Sequence, residues 1–244
     1  MANLFNGYFA SVFSTSETTN SDIQPTSSKY LNNIRITRNS IISIIKVLRS
    51  SRSCGPDGLP NIFWKNVVIK LATPLEILFN KLLHSRFVPP SWKMGLIRPI
   101  YKGKGAKTSV ENYRPISTTD TLSRIFEKCL IYLLLDKYNK IISPSQHGFR
   151  YARSTTTNLL ETHSYIYGDL NDSKPVDLIS IDLSKAFDKI DHKILMYRLS
   201  DFGLHPLIVR WIHNFLTGRF QTVVIDGNNS IPLKVAVESL KARC

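Results

Sequence analysis

The stretch ISIDLSKAFDKIDH, Ile179 to His192, decides how the rest of the chain is read. An apolar run ends on an acid, Asp182, where a strand would emerge from a core. Alternation over Val176–Asp182 places Leu178, Ser180 and Asp182 on one face and Ile179 and Ile181 on the other. The isoleucine face predicts packing on helices, which leaves Asp182 toward solvent or a ligand. Asp188 and Asp191 follow, and such a series of acids invites a hard cation. Mg²⁺ takes oxygen ligands and keeps several waters, so one or two carboxylates plus a substrate phosphate suffice. Asp191 reads instead as the cap of a helix starting at Lys193, and Asp188 as a surface turn residue. On spacing alone, Asp182 stands evenly between a metal ligand and a structural acid.

The chain has 244 residues, 43% of them hydrophobic, enough for one sizeable core or two joined lobes. Lys and Arg number 32 against 18 Asp and Glu, a net charge of +14. That excess points to a polyanion, with nucleic acid the first candidate. No single block of like charge dominates, which fits a groove better than a tail. Cys54, Cys129 and Cys244 show no metal-ligand spacing and read as reduced thiols. The start, MANLFNGYFASVF, lacks a basic region leading into an apolar core. The longest apolar run, Ile131 to Leu135, is too short to span a bilayer. The expectation is an intracellular protein, cytoplasmic or nuclear, with no membrane partner; oligomeric state is not legible.

Phe5, Tyr8, Phe9, Val12 and Phe13 recur at helical spacing and predict a short helix that docks on something. A polar linker follows, and Ile41, Ile44, Ile45 and Leu48 then make an apolar face with Asn39 or Thr37 as N-cap. SCGPDGLP is a dense turn cluster, and Thr73-Pro74 predicts a helix start with Pro at its first position. Further helices are expected over Thr121–Tyr138, Thr155–Tyr167, Lys193–Phe202 and Pro206–Leu216. Strands are expected over Gly95–Tyr101 and Val176–Asp182, with Phe220–Ile225 pairing Ile231–Val235 across the turn DGNN. Helices and a few strands mixed without regular alternation predict an α+β fold.

Familiar hydrolase and nucleotide motifs fail. GKGAKT has Ala106 where a phosphate loop needs glycine before its lysine. No histidine pairs with His or Cys at ligand spacing, and no Gly-x-Ser-x-Gly elbow occurs.

The blocks GPDGLP, IRPIYKGKG, NYRPIS, SQHGFRYARST and IDLSKAFDKIDH, in this order from Ser50 to about Val235, resemble the reverse transcriptases of jockey-like non-LTR retrotransposons. The opening ANLFNGYFASVF is similar to the segment joining endonuclease to polymerase in those elements. The resemblance implies the fingers and partial palm of a right-hand polymerase, with the thumb absent. It implies DNA synthesis on an RNA template, with a DNA primer, deoxynucleoside triphosphates and Mg²⁺, for which Mn²⁺ can substitute. It divides the chain into a helix and linker (1–36), a partial reverse transcriptase domain (37–236) and a tail (237–244).

Residue roles follow from the same resemblance. Asp182 matches the first catalytic aspartate and metal ligand, and the backbone carbonyl of Leu183 a further ligand. Phe187 matches the bulky residue that crowds the sugar 2′ position. Lys102 and Arg114 match the cations on the incoming triphosphate, with Lys104 and Lys107 close enough to replace Lys102. Arg suits that work because its planar fork donates paired hydrogen bonds to phosphate oxygens. Gln146, Gly148, Phe149, Arg150 and Arg153 match the template side, where phosphate contacts position a strand without reading it.

The family's Gly-Val-Pro-Gln-Gly-Ser block and Tyr-x-Asp-Asp turn find no counterpart, and no Asp-Asp pair occurs in the sequence. VESLKARC, Val237 to Cys244, can be encoded so that a shifted frame reads Gly-Val-Pro-Gln-Gly-Ser-Val. The expectation is an out-of-frame tail on a chain that cannot polymerise alone. The alternative is a non-catalytic nucleic-acid-binding protein. The hairpin Phe220–Val235 is expected to leave an edge and an apolar face uncovered.

Overall fold

The computed structural model describes residues 1–12, 34–51, 54–183, 186 and 190–235. They belong to two compact units, Met1–Leu133 with Lys185–Cys244 and Leu134–Ser184. Phe13, Phe187, Asp188 and the tail 237–244 lie outside the described residues.

The first unit is organised by a small mixed sheet. Its central strand β1 (Met94–Tyr101) runs antiparallel to β2 (Tyr113–Thr118) and parallel to β3 (Arg219–Ile225). Strand β2 is not among the expected strands, and Pro115 within it is a residue that a central strand would not tolerate. Its place explains the exception. β2 ends the sheet order, and Pro115 faces Pro99 across the ladder. The Lys102 N–H donates to Asn112 O at 2.8 Å. Alternation back from that bond makes the proline pair a non-hydrogen-bonded one, so neither missing N–H breaks this ladder. Toward β3, pairing stops at Ile97, before Pro99 is reached.

β3 turns back through Asp226 (φ 48°) and Gly227 (φ 80°), the left-handed pair that a two-residue hairpin requires, into β4 (Asn228–Asn229) and β5 (Leu233–Val235). Val224 pairs with Asn229 but Gln221 with Leu233, so the return strand carries one extra residue, a bulge. Ser230 holds it: its N–H donates to Val223 O at 2.8 Å and its hydroxyl accepts from Val223 N at 2.9 Å.

The expected N-terminal helix exists, α1 (Ala2–Ser11), and its partner is this sheet. Phe5 and Phe9 form a buried cluster with Ile97 and Val223, and the Phe5 ring meets Tyr113 edge-on at 4.9 Å. Asn3 Oδ1 accepts from Ile231 N at 3.0 Å, and Asn6 Nδ2 donates to Ser230 Oγ at 2.9 Å and Ile231 O at 2.8 Å. The hairpin face expected to be bare is therefore covered on its Val223 side. Phe220, pointing the other way, stays partly exposed.

Helix α2 (Arg38–Lys46) is capped by Thr37 through a reciprocal box with Ser40. Helix α3 (Asn61–Ser85) corrects the expected start at Thr73-Pro74: it runs straight through Pro74. An interior proline costs about 3 kcal/mol. Here Trp64, Val68, Ala72, Leu75, Phe79, Leu82 and Leu83 form one buried row across it, and that burial outweighs the lost N–H. Phe126 of α4 (Thr121–Ile141) sits 5.0 Å from Phe79, 5.5 Å from Trp92 and 4.7 Å from Trp211 of α7 (Pro206–Leu216), ring centre to ring centre.

The turn cluster GPDGLP braces α4. Asp57 Oδ2 accepts from Thr121 N at 2.8 Å, and Thr121 Oγ1 donates to Leu59 O at 3.0 Å.

The second unit holds α5 (Thr155–Asn171), capped by Ser154 in a reciprocal box with Thr157. The strand expected over Val176–Asp182 is not one. Those residues carry no secondary structure and find no ladder partner among the described residues, and Ile179 and Ile181 are 82% and 84% exposed. Alternation sets which side chains share a face, but a strand also needs a neighbour to take its N–H and C=O groups.

Candidate nucleotide and nucleic-acid site

On β1 and β2, α1 covers one face only. The opposite face carries Leu96, Arg98 and Ile100 from β1, register-paired with Thr118, Ile116 and Arg114 of β2. Arg98 and Arg114 are both exposed, and neither guanidinium meets a carboxylate among the described residues. Lys102 continues the same alternation just past the strand end. Its Nζ donates to Glu111 O, which draws the side chain back over the connecting turn. That turn is closed from within: Asn112 Nδ2 donates to Ala106 O at 2.9 Å, and Gly105 (φ 79°) lies against the Asn112 side chain. Lys104 and Lys107 are exposed on it, Lys107 lying 5.8 Å from the Tyr101 ring centre. The result is a cationic strand end beside an open, partly apolar face, suited to an anion with a flat organic part. Arg98 is the residue the motif reading missed. Its place two positions before Ile100 was the available signal.

The template-side residues gather in the second unit. Gln146, Gly148 and Phe149 are exposed, and Arg150 Nη1 donates to Ser143 O at 2.9 Å. Arg153 does not point freely outward: its Nη1 lies 3.2 Å from His147 Nε2 and 3.6 Å from Glu161 Oε2. His147, passed over in the sequence, is buried between Thr157 and Glu161. The four-residue spacing of Thr157 and Glu161 could have drawn attention to it.

Asp182 and Leu183 are in the second unit and exposed, in backbone without regular structure. Asp191 does what its spacing predicts, its Oδ1 accepting from Lys193 N at 2.7 Å and Ile194 N at 3.3 Å at the start of α6 (His192–Asp201). Beside it, burial, with His213 adding to it, holds the His192 imidazole below its usual range against the pull of Asp191. Of the acids that the sequence offered to a magnesium ion, Asp182 is described and exposed and Asp191 is a helix cap. Among the described residues no three His, Cys, Asp or Glu side chains come together as metal ligands. The described donors therefore do not make a metal centre by themselves. Among them too, no helix is long and apolar enough to cross a membrane.

Residues 102–236, more than half of the chain, match the reverse transcriptase (RNA-dependent DNA polymerase) family. Over 194 residues the chain is 29% identical to the probable RNA-directed DNA polymerase from transposon BS of Drosophila melanogaster, covering 79% of this chain and 21% of that protein. It is 26% identical over 197 residues to the RNA-directed DNA polymerase from mobile element jockey of Drosophila melanogaster, covering 80% and 21%. With the Pol polyprotein from the type-1 retrotransposable element R2 of Popillia japonica it shares 26% identity over 202 residues, covering 83% and 27%. The chain spans about a fifth of the length of the first two relatives. The matched segment runs from the cationic strand end at Lys102 through the His147 loop and Asp182 to the end of the hairpin. With its helices and small mixed sheet, this chain belongs to the reverse transcriptase (RNA-dependent DNA polymerase) family, as do the polymerases of the non-LTR retrotransposons BS and jockey.

Proposed function

We propose that the chain is the fingers and part of the palm of a right-hand RNA-directed DNA polymerase, binding template, primer and deoxynucleoside triphosphates. The observation that carries this reading is the cationic strand end: Arg114 on the open face of β2 and Lys102 at the end of β1, with no carboxylate answering Arg114 among the described residues. A guanidinium on a sheet face and an ammonium on the adjoining turn fit a triphosphate, the first by paired hydrogen bonds and the second as a point charge. Asp182 would hold Mg²⁺ together with the Leu183 carbonyl, and Phe187 would exclude a 2′-hydroxyl. The acids that complete the metal site would come from outside these 244 residues. Residues 237–244 are read as an out-of-frame tail, which sequencing of the encoding DNA through Ile231 to Cys244 tests.

The protein is assayed with a primed RNA template, triphosphates and Mg²⁺, alongside binding of a labelled RNA strand. The expected result is salt-sensitive binding without primer extension. Extension abolished by Asp182→Ala would overturn the inactive reading.

A second reading, a binding protein without catalytic use, is supported by the net charge of +14 and by the exposed Arg98 and Arg114. It requires RNA affinity that survives Asp182→Ala and is indifferent to triphosphate. Triphosphate binding that Arg114→Ala removes supports the polymerase reading instead.

A further inference from the structure

The loop after α4 is held by a buried imidazole. His147 is only 5% exposed although its neighbours Gln146 and Gly148 are open to solvent. Its Nδ1 lies 2.8 Å from Thr157 Oγ1 and its Nε2 2.7 Å from Glu161 Oε2. Thr157 and Glu161 stand one turn apart on α5, so a single helix face grips both edges of the ring. Thr157 is itself fixed by its reciprocal bonds with Ser154. Arg153 closes the group against the same carboxylate. The loop is thereby fastened to a helix at one residue from two directions.

Beyond that fastening the backbone is unusual. Phe149 (φ 60°) and Ala152 (φ 57°) are both left-handed without being glycine. Such residues persist where the surroundings over-determine them, and they concentrate at functional sites. Between them, Tyr151 occupies the tip of a turn closed by Arg153 N–H to Arg150 O at 3.4 Å. Tyr151 is 93% exposed. A large ring held outward on a strained but anchored turn is not explained by packing, since it packs on almost nothing. On a chain of charge +14, with arginines on both sides of it, the ring has the chemistry of a stacking surface for an unpaired base.

We propose that Tyr151 stacks on a base of single-stranded nucleic acid and that His147, through Thr157 and Glu161, is the positioning residue that keeps it there. The proposal rests on the nucleic-acid-binding reading above and adds to it a stacking residue and its support.

The test titrates the full chain into short labelled oligouridylate and oligothymidylate over a range of salt. Tyr151→Ala is expected to weaken binding roughly five- to a hundredfold with the salt slope unchanged, because stacking carries no counterion release. Tyr151→Phe keeps the ring and the affinity. His147→Ala weakens binding to a similar degree, and His147→Ala with Tyr151→Ala is no weaker than either alone. Glu161→Gln, whose amide oxygen still accepts from the imidazole, retains affinity that Glu161→Ala loses. Unchanged affinity in Tyr151→Ala overturns the stacking role, and additive losses in the double variant overturn the positioning role. Should His147→Ala fail to fold, Tyr151→Ala and the two Glu161 variants still decide. If the unaltered chain binds neither strand at low salt, the nucleic-acid reading itself falls, an outcome visible before any variant is made.

Discussion

Asn6 and Gln221, at opposite ends of the chain, exchange side-chain contacts in a buried setting: Gln221 Nε2 donates to Asn6 Oδ1 at 2.9 Å, and Asn6 Nδ2 lies 3.4 Å from Gln221 O. Asn6 is 1% exposed and also satisfies Ser230 and the Ile231 carbonyl. Replacing it by Ala takes the 2.9 Å acceptor from the buried Gln221 Nε2 and one donor each from Ser230 Oγ and the Ile231 carbonyl, which keep their bond to each other at 3.1 Å. A buried polar group that loses its partner costs about 1–3 kcal/mol. Asn6→Ala is therefore expected to lower stability by about 2–3 kcal/mol in urea denaturation. Gln221→Ala should add little on top, since the two share one network.

Phe126 tests the helical core. It is fully buried among Phe79, Trp92 and Trp211. Phe126→Ala should cost about 3–5 kcal/mol, and Phe126→Leu markedly less, measured by thermal or chemical melting. A loss under about 1 kcal/mol would mean that the rings are not close-packed.

Asp120 sets a pH dependence. Burial raises its carboxyl above the ordinary 3.8, a hydrogen bond from Ser91 opposes that, and the neighbouring Asp57 charge adds to it. An acid whose folded-state pKa is raised binds its proton more tightly when folded. Its stabilising contribution is fully present below pH 3.8 and is lost as pH rises through the folded-state value. Asp120→Asn should remove that dependence, so the variant's stability relative to the unaltered chain should improve as pH rises through this window and level off above it. A stability difference independent of pH would contradict the assignment.

Gly55 tests how the turn cluster seats on α4. A Cβ placed there would lie 2.5 Å from the Thr119 carbonyl oxygen, a backbone atom that cannot swing aside. Gly55→Ala should destabilise by about 1–3 kcal/mol, the range for overpacking, whereas Gly7→Ala, with open space around it, should not. Differential melting of the two variants checks the contrast.

Local signals carried much of this fold. The aromatic spacing of Phe5 and Phe9 announced a docking helix, and of the caps Thr37 is one of two candidates and Asp191 the expected one. The expected hairpin turns within Asp226-Gly227, with Asn228 and Asn229 already paired as β4 and the return strand resuming at Leu233. What could not be read locally was set by partners far along the chain. β2 is a strand because its proline faces another proline at a non-bonded position. α3 passes Pro74 because residues on both sides bury one continuous row. Val176–Asp182 has the alternation of a strand but no ladder, so its pattern promised more than its surroundings deliver. Among the residues of the candidate site, Lys102 and Arg114 stood out by their resemblance to a family motif. Arg98 needed the register of β1 on β2, and His147 needed the knowledge that its loop folds onto Thr157 and Glu161.

The union of α1 with the hairpin also sets an order of events during synthesis. The Asn6 contact to Gln221 closes a separation of 215 residues. At the pace of a ribosome, roughly 5–20 residues per second, about 10–40 s pass between the two ends. Ile97 and Tyr113 are made by the middle of that interval, but Val223 and the hairpin that complete the cover over Phe5 and Phe9 come at its end. Until β3 and its hairpin follow, the apolar face of α1 has only β1 and β2 to rest on, so its docking is completed late relative to its own synthesis.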